Sequence, residues 1–306
     1  MPDNPELASE YSAFRDGLVD ADFLVRSDID GLYGRTDKFE DIIEGIDRLV
    51  VELGSDQNAK VLRFPPVMPT TVFEKTDYLA SFPDLTGSIH TFTGNDKAHA
   101  QLLQVHSDGG DWTDLLDPSG EMLIPAACHP TYPLLTGTLP EGGRKLDVYG
   151  YCFRHEPSID PTRMQAFRMH EYVYVGTPEG ALAHREQWAP RGLKLLTDLG
   201  MTPEKVVAND PFFGRAGRML AVNQRDGELK YELVVQTYPG QMTAVVSVNY
   251  HEDHFGKPFN IKSADGAVAH SSCVGFGMER IALALLATHG LDTAIWPESV
   301  RELIYP

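Results

Sequence analysis

The sequence predicts an α+β fold: one antiparallel sheet flanked by helices, in a single domain over residues 1–306. Two observations carry this. Segments with the Tyr, Val and Phe content of strands come in neighbouring pairs joined by a turn or a hairpin loop, and helical patterns fall between and after those pairs instead of in strict βαβ alternation. The length and composition agree. At 306 residues, 42% hydrophobic and 23% charged, the chain is an ordinary globular one with enough residues to bury a sizeable core, which excludes collagen-like, disordered and coiled-coil classes. No internal repeat, low-complexity tract or linker divides it.

Each element follows in order. Residues 1–37 carry many acids among mixed apolar positions and read as a peripheral N-terminal segment, a helix or two with loops and no chemistry. Over residues 38–53, Phe39, Ile42, Ile43, Ile46, Leu49, Val50 and Leu53 recur at spacings of three and four, which predicts an amphipathic helix with Gly54 as its C-cap. Residues 61–64 read as a short strand broken by Pro65-Pro66. Residues 88–105 read as a strand and then a helix, and Gly109-Gly110 and residues 117–120 as turns. Residues 122–131 turn abruptly from apolar to polar at Cys128-His129-Pro130. Two strands are predicted at 147–156 and 168–176, joined by a hairpin loop at 157–165. A helix at 181–199 ends at Gly200, strands at 230–236 and 242–250 join through Pro239-Gly240, and a helix spans 277–289 directly after a Gly-rich stretch.

Charge narrows the function. Lys and Arg number 26 against 44 Asp and Glu, a net charge of −18 that repels phosphate backbones and disfavours binding of a large nucleic acid. The longest apolar run near a helix, residues 281–287, is far short of the roughly 20 residues a membrane span needs. Met1-Pro2-Asp3-Asn4-Pro5-Glu6 has neither the positive nor the apolar region of a secretory signal, so a cytoplasmic protein with no membrane partner is expected. Three cysteines, Cys128, Cys152 and Cys273, are an odd and scattered set, which speaks against a disulfide framework and leaves metal or core roles.

Chemistry-bearing residues cluster in two places. Arg154-His155-Glu156 ends one strand, and Arg163, Phe167 and Glu171 follow at four-residue steps. A guanidinium forks onto phosphate, a planar ring stacks on a base, and a carboxylate accepts amino protons. Taken alone, the Arg-X-Glu reads more readily as a surface ion pair and Phe167 as a core residue. The second place is Gly275-Phe276-Gly277-Met278-Glu279-Arg280, opening a helix, where glycines allow close backbone approach to a ligand and Arg280 projects from the first turn.

Together these pieces resemble the three motifs of class II aminoacyl-tRNA synthetases. A helix and a strand ending at Pro, residues 38–66, match the first motif. Arg154-His155-Glu156 with Arg163-Met164-Gln165-Ala166-Phe167 matches the second, and Gly275-Phe276-Gly277-Met278-Glu279-Arg280 the third. The resemblance covers about residues 38–290 and implies a class II synthetase catalytic core. Cys128, Glu171 and Cys273 lie too far apart for any local zinc pattern, and an isolated cysteine is usually a small buried hydrophobe. They are nevertheless similar in place to the Cys, Glu and Cys that hold a catalytic zinc in the atypical seryl-tRNA synthetases of methanogens. Three protein ligands leave a fourth position open, which the α-amino group of an amino acid can fill. Cys152 reads as core.

Within that superfamily the chain most resembles the bacterial amino acid:carrier protein ligases, truncated homologues of those seryl enzymes. Phe64-Pro65-Pro66-Val67, Phe73-Glu74-Lys75-Thr76, the Cys/Glu/Cys set and the absence of tRNA-binding modules around residues 38–290 carry that likeness. The resemblance implies an AMP-forming, homodimeric ligase. It would activate glycine, alanine or serine with ATP and Mg2+ and load it onto the phosphopantetheine thiol of an acyl carrier protein, with no tRNA expected as partner. It implies that Arg154 holds the α-phosphate, Glu156 the adenine amino group, Phe167 the ring, and Arg163 and Arg280 the outer phosphates. Met164, Lys230, Ala244, Val245, Val246 and Ser247 complete the nucleotide contacts, and Cys128, Glu171 and Cys273 hold zinc, with Glu171 also on the substrate. Thr243 and apolar neighbours stand where the seryl enzymes have acidic ligands, which leaves the Mg2+ position open. A minimal tRNA-aminoacylating enzyme and a silent amino-acid-binding regulatory paralogue are the competing readings. Residues 185–230 hold eight basic and six acidic residues, a local +2 in a chain of −18, and are the candidate carrier-docking insertion.

Overall fold

The spacing that predicts helix over residues 38–53 produces it: in the computed structural model Phe39, Ile42, Ile43, Ile46 and Val50 form the buried face of helix Asp37–Leu53. The structure describes residues 5–210 and 212–306, and the side chains at 5, 215–218 and 220 lie outside the described residues. The central sheet consists of β1 Lys60–Leu62, β2 Arg144–Phe153, β3 Ala166–Gly176, β4 Glu204–Val207, β5 Lys230–Tyr238, β6 Gln241–Glu252 and β7 His270–Gly277. Its order is β4-β5-β6-β7-β3-β2-β1. Every neighbouring pair is antiparallel except β1 with β2. That parallel edge pair departs from the hairpin expectation because the whole of residues 63–143 intervenes, which is ample for the crossover a parallel pair requires.

The main helices are α1 Pro5–Asp20, α2 Asp37–Leu53, α3 Asp96–Ser107, α4 Pro178–Asp198, α5 Gly214–Asp226 and α6 Met278–His289. α2, α4 and α6 cover one face of the sheet. The first seven apolar positions of α6 from Ile281 are almost all buried, as expected of a helix that is apolar all round. Trp188 of α4 stacks on Tyr172 of β3 with ring centroids 4.4 Å apart. Gly54 follows α2 as its cap, but with φ −95°, so no left-handed turn requires it. Packing does: a Cβ there would lie 2.1 Å from Tyr172 Cζ.

Two other expectations change. Of the N-terminal segment read as peripheral, the described residues 5–37 are not, since Leu18, Phe23 and Leu24 are buried within the main core, and a short hairpin, Leu24–Arg26 with Tyr33–Arg35, follows α1. Acidic residues on the outer face masked that inner face. Residues 117–120 do not turn: Asp117–Leu123 is the middle strand of a small sheet with Val67–Pro69 and Ser88–Thr91. Gly120 there has φ +94° and the pairing slips between Ser88 and His90, so its turn-type residues serve an irregular, exposed strand. Among the described residues no helix is long and apolar enough to cross a membrane.

Candidate active site

The face of the sheet opposite the helices lines a cleft of ≈ 1150 Å³. All the residues singled out from the sequence border it: Arg154, Glu156, Arg163, Met164, Phe167, Lys230, Ala244, Val245, Val246, Ser247 and Arg280 on one side, and Cys128, Glu171 and Cys273 deeper in. Strand alternation explains much of this. Glu171 lies opposite Gly275, and Val173 opposite Cys273, so Glu171 and Cys273 point from the same face as diagonal neighbours. Gly275 leaves room at that floor, since a Cβ would sit 2.6 Å from Met169 Cε and 3.3 Å from Ser247 Oγ, and the flexible Met169 tip would have to move.

The hairpin after β2 is closed by Arg154 N–H donating to Gln165 O at 2.9 Å. Arg154 Nε donates to Pro125 O at 3.1 Å, and its guanidinium stands 5.4 Å above the Phe167 ring. Arg163 pairs with Glu156 at the cleft mouth. Arg280 Nε donates to Thr162 O at 2.9 Å and its Nη1 to Ala244 O at 3.2 Å. Burial first, then the charges of Arg154 and Arg163, push the Arg280 guanidinium below its usual range. Arg280 is thus repelled by two neighbouring guanidiniums inside an acidic chain, a field that a bound polyanion relieves. Lys230 is engaged by Asp210 and lies 3.3 Å from Glu232.

Deeper in the cleft, ligand atoms of Cys128, Glu171 and Cys273 all lie within 4.8 Å of one another, and all three residues are buried. Cys128 precedes a 3-10 turn at His129–Leu135, and its N–H donates to Glu171 Oε1 at 3.3 Å. Burial and the charge of Cys273 push the Glu171 carboxyl up to about 7. The Cys128 thiol, donating to its neighbour, is raised, while Cys273 is lowered by that hydrogen bond and by contacts from His251 and Asn249. Two thiols and a carboxyl crowded together out of water destabilise one another's anions unless a cation sits among them. Two sulfur donors and one oxygen donor fit zinc, with a fourth position facing the cleft. Cys152 is buried core.

Several cleft residues escaped the sequence reading. Asn249 Nδ2 and His251 Nε2 approach Cys273 Sγ at 3.4 and 3.5 Å. The period-two register of β6 from Ser247 could have flagged both. Asp210, Glu232 and Asp160 carry no local signal. Glu279 borders the cleft too, but its carboxylate is engaged, accepting from Arg168 N and Nε at 2.6 and 2.7 Å. Of the basic residues in 185–230, Arg185 contacts Glu228 O, Arg191 pairs with Asp56, Lys194 with Asp198, and Arg225 contacts Asn209. Lys205 lies 4.2 Å from the Tyr231 ring centroid. The side chains of Arg215 and Arg218 lie outside the described residues.

No protein-family model matches the chain. It is 41% identical over 307 residues to amino acid–[acyl-carrier-protein] ligase 1 of Bradyrhizobium diazoefficiens, covering 99% of this chain and 94% of that protein. It is 44% identical over 277 residues to amino acid–[acyl-carrier-protein] ligase 2 of the same organism, covering 90% and 83%. Among solved structures it is similar to M. kandleri SerRS, crystallised with A. aeolicus tRNASec, with a TM-score of 0.80 and 23% identity. That match covers 95% of this chain but 60% of the other, and it establishes a class II synthetase catalytic core as the fold.

Proposed function

The chain belongs to the amino acid–[acyl-carrier-protein] ligase family, and from that premise we propose that it is an AMP-forming ligase that activates a small amino acid and transfers it to a carrier protein. Glycine, alanine or serine is the substrate, and the acceptor is a phosphopantetheine thiol. The amino acid carboxylate attacks the α-phosphorus of ATP and pyrophosphate leaves. The thiol sulfur then attacks the carbonyl of the mixed anhydride, losing its proton as AMP departs, and a thioester remains.

The observation that carries this reading is one cleft that holds both the converging guanidiniums and the Cys128/Glu171/Cys273 cluster. Arg154 grips the α-phosphate, where charge builds during in-line displacement, and Arg163 and Arg280 take the outer phosphates. Phe167 stacks the adenine, and Glu156, freed from Arg163 as phosphates replace it, accepts from the adenine amino group. Met164, Lys230 and Ala244, Val245, Val246 and Ser247 wall the nucleotide. Mg2+ would accompany ATP, and Glu232, which lines the cleft, is a carboxylate that could hold it. Cys128, Glu171 and Cys273 hold zinc, which when bound supplies a Lewis-acid position for the α-amino group. Glu171, buried beside that position, also contacts the substrate. The protein acts in the cytoplasm as a homodimer.

The test is pyrophosphate exchange with each of the twenty amino acids, followed by mass measurement of carrier protein and of tRNA after incubation. Exchange with a small amino acid and a mass increase on the carrier alone are expected. Arg154→Ala should lower exchange on the order of 10² to 10³. Near wild-type exchange by that variant, or label on tRNA alone, would overturn the reading.

A further inference from the structure

The loop that carries Glu156 and Arg163 is held from behind by a segment without any matched motif. Tyr11 of α1 lines the cleft, and its ring meets the Tyr238 ring edge-on at 4.7 Å and 63°. Phe14 meets the same ring at 5.8 Å and 85°. Tyr238, the last residue of β5, donates its hydroxyl to Asp160 Oδ1 at 2.7 Å. Asp160 also accepts from Thr162 N and Thr162 Oγ1, both at 2.9 Å. The carbonyl of Thr162 in turn accepts from Arg280 Nε at 2.9 Å. Tyr238, Asp160 and Thr162 are 4%, 4% and 3% exposed, so this relay is shielded from water, where a hydrogen bond to a carboxylate is strongest. The same N-terminal region grips the loop's other end. Gln165 N donates to Gly31 O and Gln165 Nε2 to Asp30 O, each at 2.8 Å. Gly31 has φ +80° and no room beyond, a Cβ there falling 3.2 Å from Arg163 O.

We propose that α1 and Tyr238 form a buttress that sets the 156–165 loop and, through Thr162, the direction of Arg280, so that Tyr238 and Asp160 are positioning residues for nucleotide binding. The reading of Arg280 as a phosphate contact is the one it rests on. The buttress acts on the nucleotide half of the cleft only, because the relay never reaches Cys128, Glu171 or Cys273.

Tyr238→Phe keeps the ring packing and removes the hydroxyl. In amino-acid-dependent pyrophosphate exchange it should raise KM for ATP roughly tenfold, the scale of one buried hydrogen bond to a charged group, and leave KM for the amino acid unchanged. Tyr11→Ala should act in the same direction, and Tyr11→Phe should recover the loss. Hydrogen exchange of the amides in 156–165 should quicken in Tyr238→Phe while exchange in α6 stays as in the parent protein. Equal rises in both KM values, or an ATP KM and loop exchange that match the parent, would overturn the proposal. If the parent protein shows no exchange activity with any amino acid, the ligase reading fails separately, and loop hydrogen exchange decides the buttress alone.

Discussion

At the scale of the residue, environment assigns the chemistry. Cys128 and Cys152 are equally ordinary in the sequence, yet only Cys128 lies with Glu171 and Cys273 inside a 4.8 Å cluster. About one zinc per chain is therefore expected to copurify, and Cys273→Ala should lose both the metal and amino acid activation. Metal analysis without zinc in an active parent protein would exclude the site. His184 makes the opposite use of burial. Buried first of all, and repelled by Lys145, His251 and Arg191, it is pushed down to about 3, and its Nδ1 lies 2.9 Å from Ser272 Oγ. An unfolded histidine titrates near about 6.5. Between those values the unfolded chain binds a proton that the folded one refuses, so His184 supports the fold fully above that range and progressively loses it as pH falls. His184→Asn should flatten the drop in urea midpoint between pH about 6.5 and 5, a difference of at most about 1.4 kcal/mol per pH unit. Parallel pH curves for the two proteins would show that another group governs the acid limb.

At the scale of the element, one buried arginine ties three of them together. Arg168 of β3 reaches Glu40 of α2 with two bonds of 2.6 and 2.9 Å and Glu279 of α6 with its Nε at 2.7 Å. Glu279 is 1% exposed, so Arg168→Met leaves a buried carboxylate without its main partner, a loss of about 3–5 kcal/mol in urea unfolding. A loss below about 1 kcal/mol would mean the junction relaxes freely, and adding Glu279→Gln should restore part of the difference. The same elements show what a sequence discloses. The helices at 37–53, 178–198 and 278–289 and the paired strands were legible because apolar period is imposed by one-sided burial. Strand 117–123 was not, since Asp, Pro, Ser and Gly there obey the local chemistry of a turn, and pairing with residues 88–91 overrides it. The site divides the same way: Arg154, Phe167 and Arg280 stand in motifs, and Glu171 and Cys273 stand near them. Asp160, Tyr238 and Tyr11 meet only through tertiary packing, which no spacing along the chain encodes.

At the scale of the molecule, a charge of −18 opposes the approach of any acidic carrier, while the proposed dock in residues 185–230 is locally +2. Its described basic side chains mostly answer to partners within the chain: Arg191 to Asp56, Lys194 to Asp198, Lys230 to Asp210. Arg215 and Arg218, whose side chains lie outside the described residues, are the pair whose reversal tests the docking proposal, and salt separates the two fields by range. At about 0.01 M salt the screening length is about 30 Å and the whole chain is felt; at about 0.15 M it is about 8 Å and only charges at the contact remain. If local basic charge governs docking, contact attraction weakens with salt and KM for the carrier should rise across that range, with pyrophosphate exchange as the internal reference. The double variant Arg215→Glu and Arg218→Glu should slow transfer to the carrier, reverse the salt trend and leave exchange unchanged. A carrier KM that falls with salt in the parent protein would mean that whole-chain repulsion dominates. The proposal that the local +2 of residues 185–230 governs docking would then be overturned.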